Sequence, residues 1–101
     1  MLDLDTQHHF SSGVYVRQMA LPAGHVAQSH RHRFEHLSIL AQGEVLLTVN
    51  GVSTHYRAPA CITIAAHAVH SIQAIRDCVW FCLHATDIAD AAQIDHALVE
   101  A

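Results

Sequence analysis

Residues 24–43 read GHVAQSHRHRFEHLSILAQG, and this stretch holds three histidines close together, His30, His32 and His36. Imidazole is the commonest protein ligand for transition metals, and it titrates near neutral pH. Successive side chains of a β-strand point to opposite faces, so histidines at positions i and i+2 point to the same side. His30 and His32 therefore have the spacing that lets one ion contact both. The segment predicts a small β-barrel built around a metal.

The bulk properties of the chain limit what it can be. Its 101 residues suffice for one domain, and 51% of them are hydrophobic, so the chain is expected to bury a real core. With 5 Lys and Arg residues and a net charge of −4, it offers no basic patch to nucleic acid. No apolar run is long enough to span a bilayer, and the acidic start MLDLDTQHHF is unlike a signal peptide. We therefore expect neither nucleic acid nor a membrane as partner.

Three cysteines, Cys61, Cys78 and Cys82, give an odd count in a chain with no export signal. This count predicts reduced thiols and a cytoplasmic location. The chain offers no set of cysteines for a tetrahedral metal site, and buried thiols behave as small hydrophobic groups. We therefore do not expect the cysteines to be metal ligands.

Short apolar stretches separated by turn residues predict an all-β fold. The predicted strands cover residues 14–21, 25–33, 36–42, 44–50, 51–57, 61–65, 68–75 and 78–85. Asn50-Gly51, between two of them, is the pair favoured in a two-residue type I′ hairpin turn. Strands at intervals of roughly 8 to 12 residues are typical of a β-sandwich or β-barrel.

The chain divides into three parts in this prediction. Residues 1–13 form a loose N-terminal arm, residues 14–85 form the barrel, and residues 86–101 form a C-terminal tail. A short helix is predicted over 87–100, because Thr86 or Asp87 can cap it and an apolar stripe follows.

The spacing of the glycines and histidines resembles the first motif of the cupins, a family of double-stranded β-helix (jelly-roll) barrels. In that motif a glycine is followed by five residues, His-x-His, a nearby glutamate, and a second glycine after six more residues. Here Gly24 is followed by five residues and by His-Arg-His at 30–32. Gly43 stands at the motif distance from His36, which occupies the usual glutamate position. The resemblance covers residues 14–85.

The second cupin motif is kept here at one position, the histidine His70. The resemblance therefore implies a jelly-roll barrel in which one metal is held by four histidines, His30, His32, His36 and His70. Because neighbouring strand residues face opposite sides, either Glu35 or His36 points inward, and not both. Motif spacing favours His36, and the sequence alone leaves the choice open.

A set of neutral imidazoles suits a transition metal better than Ca²⁺ or Mg²⁺, which prefer oxygen ligands. We predict one divalent transition metal per chain, with Fe, Ni, Zn, Cu and Mn all left open. His36 in place of glutamate removes a negative ligand, so the metal keeps more positive charge and becomes a stronger Lewis acid. No catalytic residue beyond the ligands is identified.

Five further side chains are candidates for a substrate pocket: Arg17, Phe34, His67, Trp80 and Phe81. If the Arg17 face of its strand turns inward, Arg17 can hold a substrate carboxylate. His67, near His70, is a candidate for steering protons at the barrel mouth.

The last predicted strand, 78–85, is apolar on both faces, which is typical of a strand covered on both sides. Trp80 shares one face with Cys82 and His84, and Phe81 lies on the other face. We count His84 among the surface or packing histidines. The other members of that group are His8, His9, His55 and His96.

The resemblance implies two classes of function. The first is a metalloenzyme acting on a small oxygenated organic substrate, either dioxygenase-like or an isomerase or lyase. The second is a non-catalytic module that binds a metal or small ligand, as in sensing. In both, the partners are a small molecule and a second copy of the chain in a homodimer.

Overall fold

Residues 5–28, 31 and 33–86 are described by the computed structural model, and within these ranges the chain forms nine β-strands. The strands are β1 (Gln7–Ser11), β2 (Val14–Leu21), β3 (Val26–Gln28), β4 (His36–Gln42), β5 (Glu44–Val49), β6 (Val52–Arg57), β7 (Ala60–Ile64), β8 (His70–Ala74) and β9 (Cys78–Ala85). They form two antiparallel sheets, one of five strands in the order β1-β2-β9-β4-β7 and one of four in the order β3-β8-β5-β6. The all-β jelly-roll prediction is confirmed for this part of the chain.

The hydrophobic core lies between the two sheets. Leu40 and Trp80 come from the five-stranded sheet, Val45 and Ile72 from the four-stranded sheet, and all four are at most 2% exposed. Burial alternates along β4 and β9, as expected of strands with one face turned to the core. Each large apolar side chain buried in this way contributes about 2 kcal/mol to folding.

The bounds of several strands match the sequence prediction. β2, β4 and β9 have the predicted bounds. The ends of β7 and β8 differ from the predicted ends by one or two residues. The residues 7–11 differ from the prediction, because they form β1 on the edge of the five-stranded sheet instead of part of a loose arm. The predicted C-terminal helix over 87–100 lies outside the described residues.

The hairpin between β5 and β6 turns at the predicted pair. Asn50 has a φ of 47° and Gly51 a φ of 83°, which is the left-handed pair that a type I′ turn requires. The Asn50 side chain also accepts a hydrogen bond of 3.1 Å from the backbone N–H of Val69. This bond ties the hairpin to the segment that leads into β8.

Gly43, the second glycine of the predicted motif, is required by a close approach of two backbones. Its φ is +93°, and a Cβ added there would lie 2.3 Å from the carbonyl oxygen of Asp77 and 2.8 Å from the Cα of Cys78. The link between β4 and β5 can pass over the start of β9 because residue 43 has no side chain.

No helix that could cross a membrane occurs in the ranges 5–28, 31 and 33–86.

Candidate metal centre

Three imidazoles lie buried together between the sheets. His36 begins β4 and is 4% exposed, His84 lies near the end of β9 and is 4% exposed, and His70 begins β8 and is 2% exposed. β4 and β9 are neighbours in the five-stranded sheet, whereas β8 belongs to the four-stranded sheet. The three rings therefore reach the same part of the interior from both sheets.

The His36 ring is close to both of the others. Its centroid is 4.5 Å from that of His84, with the ring planes stacked at 29°, and 6.0 Å from that of His70, with the planes tilted by 46°. One ion bound at about 2.1 Å from a nitrogen of each of two imidazoles holds the ring centres roughly 4.5 to 6.5 Å apart. The separation of His36 and His70 fits that range.

Glu35 and His36 differ in burial. His36 is buried and pairs with Ile64 across β4 and β7, whereas Glu35 precedes the strand and is exposed. The imidazole points into the interior, as motif spacing favoured.

The other two predicted ligands, His30 and His32, lie outside the described residues. Within the described ranges, no group of three or more His, Cys, Asp or Glu side chains is arranged to hold a metal ion. The described part of the predicted site thus consists of His36 and His70. Its donor atoms are imidazole nitrogens, which transition metals accept.

His84 is a member of this cluster that the sequence analysis placed among the surface or packing histidines. The signal that would have found it was the alternation along β9, which puts His84 on the same face as Trp80 and Cys82. Because its ring stacks on that of His36, His84 restricts how the His36 ring can turn.

Tyr15 flanks the cluster on β2. It is 2% exposed, pairs with His84 across β2 and β9, and its ring centroid is 6.1 Å from that of His84. Its hydroxyl forms a 2.7 Å hydrogen bond with Nδ1 of His8 on β1, and the Phe10 ring packs 5.0 Å away. The edge strand β1, which the sequence analysis did not predict, thus positions a side chain beside the cluster.

The candidate pocket residues are spread over different surfaces. Trp80, 1% exposed, faces the core, and Arg17 pairs with Cys82 on the same inner face. Phe81 lies on the opposite face of β9, where it pairs with Ile39 and Gln18, so it does not line the interior.

The other two candidates, Phe34 and His67, are exposed to solvent. Phe34 is 57% exposed, and His67 is exposed in the turn before β8.

Two buried thiols face the core from β9. Cys82 accepts hydrogen bonds from Nε1 of Trp80 at 3.3 Å and from the hydroxyl of Ser38 at 3.8 Å. Burial raises the pKa of the Cys82 thiol, although these two hydrogen bonds and the charge of Arg17 act in the opposite direction. Burial also raises the pKa of Cys78. Both are therefore protonated thiols at neutral pH, consistent with a packing role.

An open cleft of about 470 Å³ borders the cluster. His36 and His84 lie along it, and its other walls include the apolar side chains of Val14, Leu37 and Leu83. The carboxyl-bearing Glu35 also lines this cleft.

Comparison with known proteins identifies the fold family. The family described as Cupin domain matches residues 17–84, which is well over half of the chain. A search of curated proteins finds no match.

Solved structures with the same fold come from several organisms. A cupin 2 domain-containing protein from Halorhodospira halophila has a TM-score of 0.73 at 17% identity, covering 96% of this chain and 77% of that one. KdgF from Halomonas sp. has a TM-score of 0.71 at 14% identity, covering 84% and 80%. The Cupin_2 domain of an XRE family transcriptional regulator from Enterobacter cloacae has a TM-score of 0.67 at 14% identity, covering 77% and 90%.

Proposed function

Since this chain belongs to the cupin domain family, we propose that it binds one divalent transition metal through His30, His32, His36 and His70. With the metal bound, the protein would either catalyse a reaction of a small oxygenated organic molecule or bind such a molecule as a sensor. We favour the first of these, a metalloenzyme that is either dioxygenase-like or an isomerase or lyase.

The observation that carries the proposal is the meeting of His36 and His70. They come from different sheets, both are at most 4% exposed, and their ring centroids are 6.0 Å apart. Two imidazoles brought this close from opposite sheets have the separation that lets one ion contact both.

The residues of the chain have separate roles in this proposal. When bound, the metal supplies a Lewis-acid centre that polarises an oxygen of the ligand. The imidazoles of His36 and His70 hold it, and the stacked ring of His84 keeps His36 oriented. The buried side chain of Ile64, which pairs with His36 across β4 and β7, helps to keep bulk water away and strengthens electrostatic contacts inside.

A second candidate is a non-catalytic module that binds a metal or a small ligand and reports it to another protein. One observation favours it: His36, His70 and His84 are each at most 4% exposed, and a metal enclosed by buried imidazoles is typical of a closed, structural site. The structural likeness to the cupin domain of a transcriptional regulator is consistent with it.

Metal content tests the binding proposal. Protein purified without a nickel column is expected to carry about one equivalent of a transition metal per chain by elemental analysis. His32→Ala and His70→Ala are expected to lose most of it, because each removes a ligand. The matched control Glu35→Ala should retain it, since Glu35 is exposed. Metal retained in both histidine variants, or lost in the control, would refute the ligand assignment.

Turnover separates the two candidate functions. Oxygen consumption by iron-loaded protein with small diketones supports the dioxygenase-like form, and isomerisation or cleavage of small hydroxy acids supports the other catalytic form. A metal whose coordination is filled by four imidazoles, with no turnover of either substrate class, supports the sensing module instead.

A further inference from the structure

Arg17 is a cation turned toward the inside of the barrel. It lies on β2 opposite Cys82 on β9, on the same face as Tyr15 and Met19. Its Nε is buried and has no hydrogen-bond partner within the described residues. The residue as a whole is partly exposed, so a small solute can reach it.

No ion pair neutralises Arg17 within the described ranges. The neighbouring Cys82 remains a neutral thiol, because burial raises its pKa. Glu44 is already engaged by His55, Arg57 and Arg76, and Asp77 accepts a hydrogen bond from the backbone N–H of Ala23. A partly buried guanidinium without a counter-ion is unfavourable for stability. Among the described residues, its charge is therefore available to an anionic ligand.

We propose that Arg17 binds the carboxylate of a small organic acid inside the barrel. A guanidinium presents parallel N–H donors that match a carboxylate in a bidentate pair, and that pair is stronger where water is partly excluded. The inference deepens the proposed function and rests on it for the metal, whereas the contact with Arg17 itself needs no metal.

Arg17 lies on the same strand face as Tyr15, which packs beside the histidine cluster. Along β2, Arg17 is two residues from Tyr15, a distance of roughly 7 Å. Tyr15 in turn packs beside His84, next to His36. The ligand of this proposal is a short acid whose carboxylate binds Arg17 and whose other oxygens face the histidine cluster.

Trp80 provides a direct readout, because it is the single tryptophan of the chain. It pairs with Met19, two residues from Arg17 on the same face of β2. Titration with malonate is expected to change Trp80 fluorescence saturably, and the neutral diamide malonamide is expected not to.

The variants test whether the binding depends on Arg17. We expect Arg17→Gln to weaken malonate binding ten-fold or more, and Arg17→Lys to weaken it less, since the charge remains but the fork is lost. Arg76→Gln is the matched control, because Arg76 is exposed and already paired with Glu44. The dissociation constant of malonate for Arg76→Gln should equal that for the wild type. Arg17→Met should raise the melting temperature, because it removes an uncompensated cation from the inner face.

Each titration is performed on protein as purified and again after treatment with a chelator. A dependence on Arg17 that persists after chelation supports the carboxylate site whether or not the metal proposal holds. Equal malonate affinity in wild type and Arg17→Gln after chelation, or no saturable binding to the wild type, would overturn the inference. If Arg17→Gln fails to fold, the comparison is made with Arg17→Lys, using the rise in melting temperature that malonate causes. A smaller rise in Arg17→Lys than in the wild type supports the carboxylate site, and an equal rise overturns it.

Discussion

His36 is the residue on which the candidate metal centre depends most. Its ring is the one described imidazole close to both of the others, 4.5 Å from His84 and 6.0 Å from His70 between centroids. An imidazole ligand binds well when its orientation is fixed by groups behind it. His84 supplies such a contact, through ring stacking in a buried environment.

Replacement of His84 by phenylalanine tests that role. Phenylalanine keeps the stacked ring but removes the nitrogens, so His84→Phe should retain about one metal per chain while the metal affinity falls about ten-fold. The measurement is a competition titration with a coloured chelator, with His55→Phe as control, because His55 is exposed on β6 and contacts Glu44. Complete loss of metal would mean that His84 is itself a ligand, and unchanged affinity would mean that the stacking has no effect.

At the scale of single residues, the sequence predicted site residues best where they occupy fixed positions in a spaced motif. The glycine and histidine spacing singled out His36 and His70, and both are buried between the sheets. His84 has no motif position, and its role depends on the pairing of β9 with β4, which brings residues far apart in sequence together. Phe81 was a pocket candidate under the cupin resemblance, but in the structure it lies on the face of β9 opposite the core.

At the scale of elements, Gly43 governs how β5 follows β4. A side chain at residue 43 would overlap the backbone of Asp77 and Cys78, in addition to the unfavourable φ. We expect Gly43→Ala to lower the free energy of unfolding by about 2 kcal/mol or more, measured by urea denaturation.

Gly51→Ala is the matched control for this prediction. Gly51 also has a positive φ, but a Cβ there meets no atom within 4 Å, so the expected loss is about 1 kcal/mol from backbone strain alone. Equal losses in the two variants would show that the close approach at Gly43 has no energetic consequence.

The start of β5 carries a charge network centred on Glu44. Nε2 of His55 lies 2.6 Å from one carboxylate oxygen, and Arg57 and Arg76 lie within 3.5 Å of the other. The hydrogen bond with His55 is the main cause that lowers the pKa of Glu44. Partial burial opposes it, and the nearby positive charges add to the lowering.

A lowered carboxyl pKa makes stability depend on pH in a defined direction. The stabilisation is complete above the pKa of an unfolded glutamate, about 4.3, and is lost as the pH falls through the lower pKa of the folded state. The melting temperature of the wild type should therefore fall more steeply than that of Glu44→Gln between about pH 5 and pH 3. Glu35→Gln serves as control and should follow the wild type. Parallel curves for wild type and Glu44→Gln would contradict this account.

Strands with a continuous apolar run or a strong turn signal were predictable from the sequence. β9 and the hairpin at Asn50-Gly51 are examples. β1 was not, because its sequence QHHFS is mostly polar and exposed, so no apolar pattern distinguishes it from a loop. Its pairing with β2 comes from the turn at Ser12-Gly13 and from the edge position that β2 offers.

At the scale of the whole molecule, the two sheets separate exposed from protected cysteines. Cys61 lies on the outer face of β7 and is exposed, whereas Cys78 and Cys82 face the core. A thiol reagent at neutral pH should modify one cysteine per folded chain rapidly and the other two only after unfolding, because burial hides the latter and raises their pKa. Cys61→Ser should abolish the rapid phase. Three rapidly reacting thiols in the folded protein would contradict the burial of Cys78 and Cys82 in the core.

The order of strands in the sheets was beyond what local patterns can predict. The neighbours β2, β9 and β4 are distant in sequence, and their pairing is fixed by the burial of both inner faces in one core. The resemblance to a known barrel, based on a few glycines and histidines, predicted the jelly-roll arrangement of the strands, which periodicity alone could not predict. The same long-range pairings bring His36 and His84 together.

Anomalous X-ray scattering at the metal absorption edge, from crystals of protein purified without a nickel column, tests the metal centre most directly. The account predicts one peak per chain, about 2.0 to 2.2 Å from an imidazole nitrogen of each of His30, His32, His36 and His70. A crystal with no such peak, or with a peak that neither His36 nor His70 contacts, would contradict it.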